Sequence, residues 1–173
     1  SMIALVMESC GLDPTWIIGG EIVGLDTNAK AGNGEYVVAE ADESDGSFLQ
    51  YEPHAAVVTN IEPDHLENYD GDFGKLKEAY VRFLRKVKPD GYAVVCVDDP
   101  NIRELMPRFD RARIVTYSIE PGRDADYHAA DITPGDRRVS FTAMRRGERL
   151  GRVELSGRGR HNAANALAAI AVC

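Results

Sequence analysis

No uninterrupted apolar stretch comes near the roughly 18 residues that a membrane-spanning helix needs, and the start lacks a basic segment followed by a hydrophobic one and a cleavage site. Neither a spanning helix nor secretion is expected. Cysteine is scarce: Cys10, Cys96 and Cys173 are odd in number, far apart and set in apolar runs. That argues against a disulfide scaffold and suits buried thiols in a reducing compartment, so a cytoplasmic protein is expected. Positive charge is in deficit, with 20 Lys and Arg against 28 Asp and Glu and a net charge of −8. The balance argues against nucleic acid or an anionic membrane as the main partner; any phosphate must be bound locally, with metal help. No repeat, low-complexity tract or long linker interrupts the 173 residues, and with 44% hydrophobic content they can bury the core of one domain.

What is present is a succession of short apolar runs bounded by turn residues: Trp16–Ile18, Tyr36–Ala39, Ala55–Ile61, Tyr92–Val97 and Ile114–Tyr117. Short, continuous and rich in Val, they read as strands buried on both faces. Ahead of them, Ser1–Cys10 reads as helix running into Gly11, a residue suited to the left-handed position that ends a helix. Phe73, Leu76, Ala79, Tyr80, Phe83, Leu84 and Val87 recur at helical spacing and predict a helix over 72–88, stopped by Pro89-Asp90-Gly91. Another is predicted over Pro100–Met106, behind the acidic pair Asp98-Asp99, and an Ala-rich one over His161–Cys173. Strand, helix, strand, helix, strand implies an α/β fold with a mostly parallel sheet flanked by helices. After about residue 124 the pattern changes to short strands at Tyr127–Ile132, Val139–Ala143 and Gly151–Leu155, a small antiparallel sheet appended over residues 125–156. Helix signals without a start or a stop at the two termini suggest that the chain belongs to a longer one.

Three polar clusters could carry chemistry. Tyr36-Val37-Val38-Ala39 leads into Glu40-Ala41-Asp42-Glu43-Ser44-Asp45, which sets four carboxylates at the carboxyl end of a strand, where open α/β sheets bind ligands. Oxygen donors of that kind suit Mg²⁺; the plainer reading is an acidic loop capping the next turn. The run Val57 to His65 repeats the design with Asp64 and His65 at its end, where an imidazole could bind metal through one nitrogen while a neighbour orients the other. The third, Gly157 to Asn165, is a basic turn entering a helix, with His161 and Asn165 four apart on one face. That face could hydrogen-bond a base edge and Arg160 could approach a phosphate, while ordinary capping by Asn162 is the alternative.

Together the clusters resemble the central domain of the Mur ligases. Ala39–Phe48, Thr59–Tyr69, Cys96–Pro100 and Gly159–Ala169 are similar to that family's motifs, in order, and the likeness covers essentially the whole chain. The resemblance implies a P-loop-type α/β domain in peptidoglycan precursor synthesis. ATP would phosphorylate a lactyl carboxylate, and an amino acid's amino group would then attack the acyl phosphate. The wording is nearest to the members that join L-alanine to UDP-N-acetylmuramate, with the members that recycle murein tripeptide as the alternative. It further implies that Glu40 and His65 hold the Mg²⁺ bridging nucleotide and acyl phosphate, that Ser44 and Asp45 face the sugar nucleotide, and that His161 and Asn165 contact adenine with Asn162 nearby.

There are departures from the family pattern. A phosphate loop ending Gly-Lys-Thr-Thr-Thr precedes a segment like Ser1–Ala4 in the family, yet no G-x-x-x-x-G-K-[ST] occurs here. The domains that bind the uridine nucleotide and the amino acid have no counterpart either. A central-domain fragment without catalysis of its own is therefore expected. Several family members carry a carbamylated lysine in the helix after the Asp-His pair, but Lys75 and Lys77 do not fall at the matching place. Two other readings are a non-catalytic module that kept a degenerate nucleotide fold and a metal-dependent hydrolase built on Asp64 and His65.

Overall fold

The computed structural model describes residues 1–19, 27–109, 113–157 and 159–173. They fall into two compact units, Ser1–Asp42 with Cys173 and Glu43–Val172. Among them, no helix is long and apolar enough to cross a membrane.

The first unit opens with α1 (Met2–Ser9). Its end is fixed by Gly11 at φ 74°, with the Gly11 and Leu12 amides donating to the Glu8 and Met7 carbonyls at 2.9 and 3.0 Å. This is the paired-bond stop expected of a glycine there. A three-stranded sheet follows in the order β2-β1-β3, from β1 (Thr15–Ile17), β2 (Ala29–Lys30) and β3 (Val37–Ala39). β3 runs parallel to β1, with Trp16 opposite Val38. Trp16 and Ile18 are buried with Ala4 of α1, and Val38 packs against them. The other face of the sheet is not covered: Ile17 is 57% and Val37 69% exposed. The expectation of burial on both faces fails for β3, because it is an edge strand and α1 shields only the Trp16/Val38 side.

A polar knot closes this unit. Lys30 Nζ pairs with Asp13 Oδ1 at 2.8 Å and with Glu8, while the Asn33 backbone and side-chain N–H groups both donate to Asp13 Oδ2 at 2.9 Å.

The second unit holds a six-stranded sheet in the order β4-β5-β6-β7-β8-β9. β4 (Ala55–Val58), β5 (Tyr92–Cys96) and β6 (Arg113–Ser118) are parallel, with Val57 opposite Val94 and Val94 opposite Val115. β5 sits inside the parallel set and is buried on both faces from Ala93 to Cys96, as a continuous apolar run should be. β7 (Tyr127–Pro134) pairs parallel to β6 over only two residues, and β8 (Arg138–Arg145) and β9 (Glu148–Ser156) continue the sheet antiparallel. The antiparallel strands anticipated after residue 124 are thus present, but they extend the parallel sheet instead of standing apart from it. β8 and β9 turn on Arg146 (φ 48°) and Gly147 (φ 85°), the paired left-handed residues that match strand twist in a two-residue hairpin.

Helix α2 (Phe73–Leu84) connects β4 to β5, and α3 (Pro100–Leu105) connects β5 to β6. Each starts on a capping carboxylate: Asp72 accepts from the Gly74 amide at 2.7 Å and Asp99 from the Ile102 amide at 2.7 Å. α2 is shorter than the predicted 72–88. Its apolar stripe continues to buried Val87, but from Lys86 the chain closes tighter turns, Lys86 onto Phe83 and Val87 onto Leu84. The last helix, α4 (Arg160–Val172), buries Ala163, Ala166, Leu167, Ala168 and Ala169.

The Asp13 knot carries a pH signature. The hydrogen bond from Lys30, then those from Asn33, hold the Asp13 carboxyl well below the usual carboxylate range. A depressed folded value gives stability that is present above the unfolded value and lost as pH falls through the folded one. Asp13→Asn is expected to melt below the parent protein at neutral pH, with the gap narrowing as the solution becomes strongly acidic; a gap that does not change with pH would contradict this.

Candidate functional site

Of the residues singled out in sequence, Glu40 follows β3, His65 lies in the loop after β4, and His161, Asn162 and Asn165 lie on α4; the structure describes each within its own unit. Glu40 belongs to the first unit. Its amide donates to the Ile17 carbonyl at 3.0 Å, and its Oε2 accepts from the Gly19 amide at 2.7 Å. The Ser1 ammonium lies 3.7 Å from Oε1, and half of the side chain remains open to solvent. The boundary between the units falls inside the acidic turn, after Asp42.

In the second unit the rest of that turn is tied to the loop bearing His65. Asn68 Nδ2 donates to the Ser44 carbonyl and Tyr69 Oη to the Glu43 carbonyl, each at 2.5 Å. Asn68 and Tyr69 belong to the 3₁₀ turn Leu66–Tyr69, which starts directly after His65. Within this unit, residues 43–44 are thereby hydrogen-bonded to residues 68–69. The loop after β4 is anchored from a second side, where Asn101 on α3 donates to the carbonyl of fully buried Ile61 at 2.8 Å.

His65 has φ 52° and ψ 35°, a left-handed conformation that costs a residue with a β-carbon about 1–2 kcal/mol. Such outliers persist where surrounding contacts enforce them and cluster at functional sites. Its Nδ1 is 3.5 Å from Glu67 Oε1, and the side chain is 56% exposed. One ring nitrogen thus has a carboxylate beside it, the kind of neighbour that orients a metal-binding imidazole.

Asp45 does what the plainer reading allowed. Its Oδ1 accepts from the Ser47 amide at 2.8 Å, and hydrogen bonds from Ser47 lower its pKa below the ordinary carboxylate value. Gly46, left-handed at φ 73°, then opens the 3₁₀ turn Ser47–Gln50. Among the described residues no group of three or more His, Cys, Asp or Glu is placed to hold a metal. Glu40 in the first unit offers a hard carboxylate and His65 in the second an imidazole; Mg²⁺ usually takes one or two carboxylates, with waters and substrate phosphates completing its octahedron.

His161 and Asn165 stand one turn apart on α4, both exposed, while Ala163, Ala166 and Leu167 between and beyond them are buried. The shared open face expected from their spacing is present. Gly159 precedes it at φ 96°, and a β-carbon there would come within 2.5 Å of the His161 ring; only glycine leaves that ring its place. Asn162 is half-buried, and Arg158 lies outside the described residues. Arg160, expected to approach a phosphate, instead donates to the Ile119 carbonyl at 3.1 Å and to Glu120 Oε1 at 3.0 Å. Lys75 pairs with Asp70, and Lys77 pairs with Glu104 at 2.7 Å and lies over the Phe73 ring.

The sequence reading missed Asp98. It took Asp98-Asp99 together as a helix cap, but only Asp99 caps. Asp98 accepts from Ser118 Oγ at 2.5 Å and from the Ile119 amide at 2.8 Å, with Arg123 Nε 3.7 Å away. It pins the turn after β6, whose Ile119 and Glu120 in turn hold Arg160 at the start of α4. A carboxylate directly after a buried strand was the available signal.

The model of the Mur ligase middle domain matches residues 21–173. The chain belongs to the Mur ligase family. It is 45% identical over 172 residues to UDP-N-acetylmuramate--L-alanine ligase of Syntrophotalea carbinolica and 46% identical to that of Burkholderia cenocepacia, covering 99% of this chain in both cases. It spans 37% and 36% of those two relatives, little more than a third of their length. Among solved structures, UDP-N-acetylmuramate-alanine ligase MurC from Thermotoga maritima superposes with a TM-score of 0.82 at 28% identity, covering 99% of this chain and 37% of that one. The ligase for UDP-N-acetylmuramate and L-alanyl-gamma-D-glutamyl-meso-diaminopimelate from Neisseria gives 0.83 at 27%, covering 98% and 55%. A Thermotoga maritima MurF ligase solved with ADP shares the fold at 18% identity and a TM-score of 0.74, over 99% of this chain and 40% of that one. The Mur ligase fold thus accounts for the parallel strands and the crossover helices.

The left-handed backbone at His65 yields an expected outcome. Gly pays no β-carbon penalty there, so His65→Gly should leave stability to urea unchanged or raise it by up to about 1 kcal/mol. A marked loss would show that the side chain itself holds the loop.

Proposed function

We propose that this chain is the nucleotide-facing central domain of a peptidoglycan precursor ligase that joins L-alanine to UDP-N-acetylmuramate at the expense of ATP. The observation that carries the reading is the tie between residues 43–44 and the 3₁₀ turn that follows His65, in a chain 45% identical to alanine-adding relatives. The tripeptide-recycling ligases share the fold, and the identity to the alanine-adding relatives favours the latter.

In this reading Glu40 and His65 hold Mg²⁺, with Glu67 orienting the His65 ring through Nδ1. The bound ion would act as a Lewis acid and template, drawing charge from the phosphates while the carboxylate of the nucleotide sugar attacks in line. Ser44 and Asp45 face the sugar nucleotide from a turn held rigid by Tyr69 and Asn68. Adenine is held by the open face of α4: Asn165 supplies an amide that can donate and accept at a base edge, His161 an imidazole, and Asn162 supports them. Asp98 keeps that face in place through the turn that grips Arg160. None of these groups has to move a proton: the neutral amine attacks the acyl carbon, the C–O bond to the phosphate breaks, and the inorganic phosphate released can take up the proton that the new amide nitrogen sheds. The reaction would take place in the cytoplasm, where ATP is available.

The phosphate grip and the amino-acid site are not supplied by these residues, so the chain by itself should not turn over. In a protein of the relatives' length that carries this domain, ADP release should depend on both UDP-N-acetylmuramate and L-alanine. His65→Ala and Glu40→Ala should lower kcat/KM on the order of 10²-fold or more, the size of several kcal/mol of lost transition-state stabilisation. Alanine ligation by the 173 residues alone, or full activity in both variants, would overturn the reading.

A further inference from the structure

The six-stranded sheet ends at β9, and among the described residues no strand pairs with its outer edge. The phase of the ladder decides what that edge presents. The Gly157 amide donates to the Arg137 carbonyl at 2.9 Å, and in an antiparallel ladder the backbone groups turn toward the partner at every second pair. Val139 with Leu155, Phe141 with Val153 and Ala143 with Gly151 are therefore the hydrogen-bonded pairs. Arg152, Glu154 and Ser156 turn their N–H and C=O groups outward. The Gly135 amide, which donates to the Arg138 carbonyl from the β7 side at 2.8 Å, agrees with that phase.

The two faces of this edge differ. Gly151, Val153 and Leu155 are half-buried on one face, beside buried Ala143, Phe141 and Val139. Arg152 and Glu154 stand exposed on the other. The register then shifts, with Gly151 opposite Ala143 but Arg149 opposite Met144. Leu150 is the extra residue of this bulge, which brings Arg149 onto the same face as Arg152. Arg138, opposite Ser156, also lies on that face and pairs with Glu154. Arg152 donates to two neutral oxygens, the Asp131 carbonyl at 3.1 Å and Ser140 Oγ at 2.6 Å, and Arg149 has no ion-pair partner among the described residues. β8, β9 and the turn between them carry five Arg against two Glu, in a chain of net charge −8. Charges and a bulge keep an edge strand from pairing with others of its own kind, yet a net positive edge also selects strands of opposite charge.

We propose that the outer edge of β9 receives an extended segment of a partner protein as a further antiparallel strand, in which acidic side chains alternate with apolar ones. The outward backbone groups of Arg152, Glu154 and Ser156 supply the hydrogen bonds, and the two faces set the alternation. Acidic side chains meet Arg152 and Arg149, while apolar ones extend the row of Val153 and Leu155. Each residue on the acidic face of the segment stands directly opposite an outward-turned residue of β9. Its own N–H therefore points at β9, and the N–H groups of the apolar residues point away. No residue of β9 is placed on nucleotide or metal, so the inference holds apart from the ligase reading.

The probe is the peptide acetyl-Val-Thr-Val-Glu-Val-Glu-Val-amide, which sets Thr opposite Glu154 and Glu opposite Arg152. Titrated into the 173-residue protein at low ionic strength, it should give saturable chemical-shift changes in the amides of residues 149–156, in the millimolar range or tighter. Methylating the Thr and Glu nitrogens should abolish binding, whereas methylating as many Val nitrogens should leave it in place. Arg149→Glu changes an exposed side chain and should weaken binding by about threefold or more, the size of one reversed cross-strand charge pair, with an unchanged melting temperature. No saturation, equal loss from both methylation patterns, undiminished binding by Arg149→Glu, or displacement of the peptide by an oligothymidylate of matching charge would each overturn the proposal. Shifts of the same amides with protein concentration alone would assign the edge to a second copy of the chain and overturn it as well.

Discussion

Tyr69 and Asn68 donate hydrogen bonds to the carbonyls of Glu43 and Ser44, and through these contacts residues 43–44 and the loop after β4 become one piece of structure. Loops at strand ends have few neighbours of their own, and their backbone groups must otherwise be satisfied by water. Here a 3₁₀ turn immediately after His65 supplies the partners. The same short segment sets the backbone of His65 in a left-handed conformation and seats buried Tyr69 beside α2. A residue held in that way pays for its position with strain, which the packing around it must offset.

The platform under these loops is the parallel set β4, β5 and β6, whose registers bring the ends of three strands to one edge. Each end carries an acidic or polar residue with a separate task. After β4 comes His65; after β5, Asp98 accepts from Ser118 and Ile119; after β6, Ile119 and Glu120 hold Arg160. The open face of α4 thereby rests on a relay of fixed contacts that begins at the most deeply buried strand. The antiparallel extension β7–β9 contributes to the same sheet and packs against α4 without adding a group to that edge. The account of a ligase central domain rests on this arrangement together with membership of the family.

Much of this was legible in the amino-acid sequence because the signals were local. The strand runs, the acidic cap before α3, the Gly11 stop and the one-sided face of His161 and Asn165 follow from side-chain period and backbone preference within a few residues. What escaped depended on partners far along the chain. Val37 reads as a core residue, yet it lies on an edge strand with one face bare. The end of α2 slips into tighter turns although its apolar stripe runs on to Val87. Arg160 is paired with Glu120, 40 residues away, and Asp98 with Ser118 and Ile119, 20 and 21 residues away. No period or spacing announces such pairs.

The central claim is that Glu40 and His65 serve one metal ion beside a bound nucleotide. Mn²⁺ replaces Mg²⁺ at oxygen-rich sites and broadens nearby NMR signals even at low occupancy, so the most direct measurement is paramagnetic broadening in this chain on adding Mn²⁺ with ATP. The account expects the amides of Glu40, Asp64 and His65 to broaden together and those of His161 and Asn165 to shift. Broadening confined to carboxylates elsewhere, with Glu40 and His65 untouched, would contradict it.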